Sequence, residues 1–200
     1  MAIDPNTNIN NVFAHYVQED VDFCDVEDVI GGIQPSEIYF CHIKHIDILR
    51  TPLAKSTNNY AGTILNKIIC KENTGFSRMK SLVESAELTS EYQNTKDSSD
   101  LELFLLGTRA ELIGVSRKFR HQPFIIIVKD ENNKQFVIGT LASPAYLRSF
   151  EITTGKKFDD NSGGSLKFRS NTIFFEYKHE IPIKPTDIGD YNDDYNDDYD

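Results

Sequence analysis

Residues 123–141, PFIIIVKDENNKQFVIGTL, constrain this chain more than any other stretch. Two runs of β-branched and aromatic residues flank DENN, a cluster of turn formers. Pro123 cannot donate to a strand ladder, so it fits only the start of the first run. The stretch reads as an antiparallel hairpin. FEITTGKKFDDNSGGSLKFRS (150–170) reads as a second, with DDNSGG at its tip, and NTIFFEYKHEI (171–181) as a last strand that PIKP (182–185) stops.

Upstream, EIYFCHIKHIDIL (Glu37–Leu49) predicts a strand and RTPLAKSTNNYAG a loop. TILNKIICK is rich in β-branched residues. FSRMKSLVESAELTSEYQ fits two strands or one helix, and we favour strands. NTKDSSD reads as a turn or loop, and LELFLLGTRA as a buried strand. RAELIGVSRKFR has helical spacing, because Leu112, Val115 and Phe119 lie three and four apart. About eight strands and one or two helices result, without a βαβ rhythm. The expected class is α+β, mainly antiparallel β, a small sandwich or barrel-like body with extended acidic termini.

Charge divides the chain into three parts. The net charge of −10 hides the pattern. Residues 1–37 carry eight acids and no base, residues 38–186 hold all 21 bases with 16 acids, and residues 187–200 carry seven acids and no base. We therefore expect an acidic N-terminal arm (1–36), a β-rich body (37–186) and an acidic Asp/Tyr/Asn tail (187–200). VFAHYVQEDVDFCDVEDVI in the arm could form one irregular helix. The start of the chain has neither a basic segment nor a long apolar run, so no signal peptide is expected. Three cysteines (Cys24, Cys41, Cys70) are too few for a disulfide framework and suggest reduced thiols. The longest apolar run, FIIIV, is too short to span a bilayer, so no membrane partner is expected.

No phosphate loop, dinucleotide fingerprint or nucleophile elbow occurs, and SGGS (Ser162 to Ser165) reads as a hairpin cap rather than a cofactor loop. We expect no enzyme, no cofactor and no metal. The best metal candidate is CHIKH, where a strand would put Cys41 and His45 on one face and His42 on the other. Cys24 and Cys70 are the only further thiolates, so strand packing is the simpler reading. Asp159 and Asp160 lie in a turn, where Asp is favoured for backbone reasons.

Two basic groups are candidate partner-binding surfaces. Arg117, Lys118 and Arg120 surround Phe119, which could stack on a base or pack inward. The acidic arms would compete with nucleic acid for such a surface, so specific nucleic-acid binding is not expected. Lys156, Lys157, Lys167 and Arg169 come together if their two strands pair, and could receive an acidic arm. The tail offers Asp190, Asp193, Asp194, Asp197, Asp198 and Asp200 with Tyr191, Tyr195 and Tyr199. It is either a solvated charge run or a docking segment whose tyrosines add contact area.

The hairpin region carries a resemblance. Ile138 and Gly139, Thr154 to Lys157, Asp159, Asp160, Gly164, and Leu166 to Ser170 with Arg169 intervening, followed by the aromatic TIFFEY, form its core. Over roughly residues 60–180 the chain resembles a family of small virion proteins in phages of Bacteroidetes hosts, including crAss-like phages. The arms lie outside this likeness. The resemblance implies a structural protein encoded among head and tail genes, without catalysis. The expected role is a ring protein of the head–tail junction or tail barrel, made in the host bacterial cytoplasm and residing in the virion. Its partners would be copies of itself and other virion proteins: the portal and adjacent ring or tail proteins. Two other readings stay open: an acidic DNA mimic or host-takeover protein outside the virion, and a small hydrolase with dispersed acids.

Overall fold

A computed structural model describes residues 30–52, 58–157 and 160–185. In chain order its strands are β1 (Ile33–His42), β2 (Ile46–Ile48), β3 (Thr63–Ile64), β4 (Ile69–Cys70), β5 (Ser77–Met79), β6 (Glu87–Gln93), β7 (Lys96–Leu106), β8 (Phe124–Asp130), β9 (Gln135–Ile138), β10 (Tyr146–Thr153), β11 (Gly163–Ser170) and β12 (Phe175–Tyr177). Two helices, α1 (Asn58–Ala61) and α2 (Ala110–Phe119), and a 3-10 turn at Ile43–His45 complete the set.

The strands form a mainly antiparallel sandwich. A six-stranded sheet has the order β3-β12-β9-β8-β1-β5 and a four-stranded sheet the order β10-β11-β7-β6. A small ribbon pairs β2 with β4. The one parallel strand pair among the described residues is β12 with β3.

The apolar run of β8 explains the layering. Phe124 to Val128 are all buried, five residues in succession. Alternation sends Phe124, Ile126 and Val128 to one face and Ile125 and Ile127 to the other. The first set packs with Ile38 and Ile138 against Leu101, Leu103, Leu166 and Phe168 of the four-stranded sheet. The second joins Tyr39, Val137 and Tyr177 under Ile46, Leu49, Ile64, Ile68 and Phe76. A strand buried on both faces must be apolar throughout, and each such Ile or Phe contributes about 1.5–3 kcal/mol.

Helix α2 connects the two sheets at one end of the sandwich. Leu112 and Phe119 are buried and Val115 is half-buried, as their spacing predicts. The Phe119 ring packs 4.6 Å from that of Phe124 and 5.0 Å from that of Phe40. Tyr177 anchors the opposite face of the larger sheet. Its buried hydroxyl accepts from the Ile68 N–H (3.1 Å) and donates to the Glu180 carbonyl (3.2 Å).

Several local expectations change. The single strand expected over Glu37–Leu49 is broken by the 3-10 turn, so Cys41 and His45 do not share a strand face. The cause is local: His42 Nδ1 accepts from the Lys44 N–H (3.1 Å), and the Ile46 N–H returns to Ile43 O. β1 begins at Ile33, so residues 33–36 of the segment assigned to the arm lie in the sheet. NTKDSSD is mostly strand, because Asn94 and Thr95 (φ +51° and +65°) form a two-residue turn and β7 starts at Lys96. Left-handed backbone at both positions matches the twist of the flanking strands, so pairing resumes at once. SGGS does not cap the hairpin: Gly163 and Gly164 open β11. A Cβ at Gly163 would strike the Leu105 carbonyl and come within 2.7 Å of the Phe104 ring. One at Gly164 would crowd Leu112 and Phe150. These glycines let β7, β10 and α2 close over β11.

Candidate assembly surface

The outward face of the four-stranded sheet carries a cross-strand charge ladder. On β11, Leu166, Phe168 and Ser170 turn inward, so Lys167 and Arg169 turn outward. The register sets Lys167 opposite Glu102 and Arg169 opposite Asp100 on β7. Arg169 holds Asp100 through both carboxylate oxygens, with Nε 2.7 Å from Oδ1. Lys167 binds Glu102 and lies 3.8 Å from Asp100 Oδ2. Asp100 is the least exposed member, with 12% of its side chain accessible.

The electrostatics follow from this geometry. The Arg169 bond holds the Asp100 carboxyl below its ordinary value against the opposing effect of burial, and the charges of Arg169, Lys167 and Arg148 add to it. Contact with Glu102 holds the Lys167 ammonium above its usual value. Two of the four cations that the sequence offered to an acidic arm, Lys167 and Arg169, are thus engaged within the sheet.

Lys156 and Lys157 sit apart from that pair. β10 and β11 do pair, but the two lysines occupy the loop beyond Gly163. Four strand positions, about 13 Å, separate Gly163 from Lys167. The backbone N–H groups of Lys156 and Lys157 both donate to Asp160 Oδ2 at 2.8 Å, and these bonds hold the Asp160 carboxyl low. Their side chains are exposed. The expected four-residue basic patch is two separate features.

Arg117 and Lys118 lie in the last turn of α2, where cations complement the helix dipole, and Arg120 follows. All three are exposed, whereas Phe119 packs among Phe40, Phe124 and Phe168. Stacking of Phe119 on a base is therefore ruled out without unpacking the core.

In CHIKH, the Cys41 and His42 side chains have structural partners in the fold. His42 uses Nδ1 for the turn and Nε2 for Gln122 Oε1 (3.1 Å). Among the described residues no group of three or more His, Cys, Asp or Glu is placed to hold a metal ion. Cys41 meets Cys70, a partner that spacing did not reveal. The Cys41 thiol donates to the His42 carbonyl (3.6 Å). The neighbouring Cys70, with burial, pushes the Cys41 thiol up, whereas Cys41 pulls Cys70 down against the opposing effect of burial. The signal for this contact is tertiary: β4 pairs with β2, setting Cys70 opposite Ile46, under the larger sheet.

The tail candidates, Asp190 to Asp200, and the acids of residues 1–29 lie outside the described residues. No helix among those described is long and apolar enough to cross a membrane. The body is an α+β protein, a mainly antiparallel two-sheet sandwich whose four-stranded sheet carries the charge ladder on its outer face. No family model, no curated protein and no solved structure matches the chain.

Proposed function

We propose that this protein is a structural component of a tailed-phage virion, a ring protein of the head–tail junction or tail barrel. The observation that supports this reading is the pair of open edges on the four-stranded sheet. β10 and β6 are its outer strands, eight and seven residues long. Among the described residues neither is paired along its outer side, which leaves a row of backbone groups there. A head-to-tail contact that joins β10 of one copy to β6 of the next is heterologous, and a heterologous contact closes into a ring when its rotation permits. Acidic arms would add many weak contacts in that geometry, each about 0–1 kcal/mol. Copies of the same chain, and portal or tail proteins above and below, are the partners this role requires.

Mass spectrometry of purified particles tests the proposal. The chain should be recovered in stoichiometric amounts, and purified protein should associate in a salt-sensitive way. A protein made during infection yet missing from particles would sink the reading. That outcome, together with a monomer that captures a basic host factor, would favour the DNA-mimic alternative, which draws on the acids of residues 1–37 and 187–200.

A further inference from the structure

An apolar groove opens between α2, the end of β7 and the segment that leads out of β5. It encloses about 640 Å³. Leu105 and Leu112 belong to its floor, and Met79 and Val115 to its walls. Val83 and Leu106 stand at its mouth, 65% and 52% exposed. Contiguous exposed aliphatic surface of this kind marks a binding site more often than plain solvent-facing surface. Arg78, Lys80 and Arg109 surround it, against one acid, Glu111. Arg78 is tied to Glu37, but Lys80 and Arg109 have no ion-pair partner among the described residues.

We propose that this groove is the docking site for residues 17–29 of the same chain. Their sequence, VQEDVDFCDVEDV, holds four Val and one Phe for the apolar floor, six acids for the cationic rim, and no Lys or Arg. The C-terminal residues 190–200 match the rim but not the floor, because they hold no aliphatic side chain. The tether favours the chain's own segment. Ile30 is fixed by two bonds to Asn132, donating to Oδ1 (3.0 Å) and accepting from Nδ2 (2.7 Å). Ser81, in the groove lining, donates its N–H to the Pro35 carbonyl (2.8 Å), five residues further along the same chain. Thirteen residues can span up to about 43 Å. A short tether raises the local concentration of the segment to the millimolar range, above that of any segment from a free copy. The inference goes beyond the virion reading and does not rest on it, since a host-directed protein would keep the same contact.

The test uses the full chain with a benzophenone side chain in place of Leu106, prepared as a mixture of isotopically heavy and light protein. Irradiation followed by mass spectrometry should give crosslinks to residues 17–29 within one isotope. The Lys80→Glu/Arg109→Glu double variant should lower that yield at least about fivefold, as should about 0.5 M NaCl. Val83→Glu, at an exposed position, provides a second variant with the same expected loss. Crosslinks to residues 190–200, to another copy's body, between isotopes, or none above a probe placed at Asn171 would each overturn the proposal.

Discussion

Arg169 reaches across from β11 to β7 and holds Asp100 with two parallel bonds, its Nε 2.7 Å from Oδ1. The pair occupies one rung of an antiparallel ladder, so the strand register aligns it. It also decides that an incoming acidic segment would have to displace an acid already in place.

Asp100→Asn should therefore destabilise the fold by about 1 kcal/mol at neutral pH. The sign with pH follows from the lowered carboxyl. The stabilisation is present above the unfolded value, about 4, and is lost as pH falls through the lower folded value. Urea unfolding of wild type and variant at several pH values should show a difference that is constant at neutral pH and shrinks in acid. A difference that grew in acid would contradict the assignment.

Gly163→Ala should be among the most damaging single changes, at about 3 kcal/mol. The added methyl meets the backbone of β7, and a strand carbonyl cannot swing aside as a side chain can. Thermal melting would check this. A loss below about 0.5 kcal/mol would mean that the two strands separate easily.

Tyr177→Phe should cost about 1–3 kcal/mol. It removes the acceptor of the Ile68 N–H while keeping the ring in place. Denaturant unfolding measures the loss, and amide exchange at Ile68 should accelerate in the variant.

Cys70 should be alkylated at least about tenfold faster than Cys41 in the folded protein. Cys70 is half-buried and its thiol is pulled down by Cys41, whereas Cys41 is buried and pushed up. Peptide mass spectrometry after a timed iodoacetamide pulse reads both. Equal rates would show that the β2–β4 ribbon lifts readily from the sheet.

The body was legible wherever local chemistry had one solution. The hairpin at 123–141 followed from its two β runs and DENN, and α2 from the spacing of Leu112 and Phe119. The β6–β7 turn was placed within residues 94–100, but its two-residue tightness was not foreseen, because Asn-Thr lacks the glycine that usually marks left-handed turn positions. The break in Glu37–Leu49 escaped notice because Ile43 and Ile46 keep a strand-like composition across a 3-10 turn. The basic candidates divided for a related reason: spacing along two paired strands says who is opposite whom only once the register is known. Lys167 and Arg169 met acids of a third strand, β7, that is more than 60 residues away in the chain.

The order of charges along the chain, the β-rich antiparallel class and the helix before the main hairpin were written in the amino-acid sequence. They depend on residues close in the chain, whose spacing carries the information. Which cations are spent on internal acids, which thiols meet and where the apolar groove opens were decided by tertiary structure. Each requires segments far apart in the chain to be brought into register, and only the packing of two sheets around β8 does that.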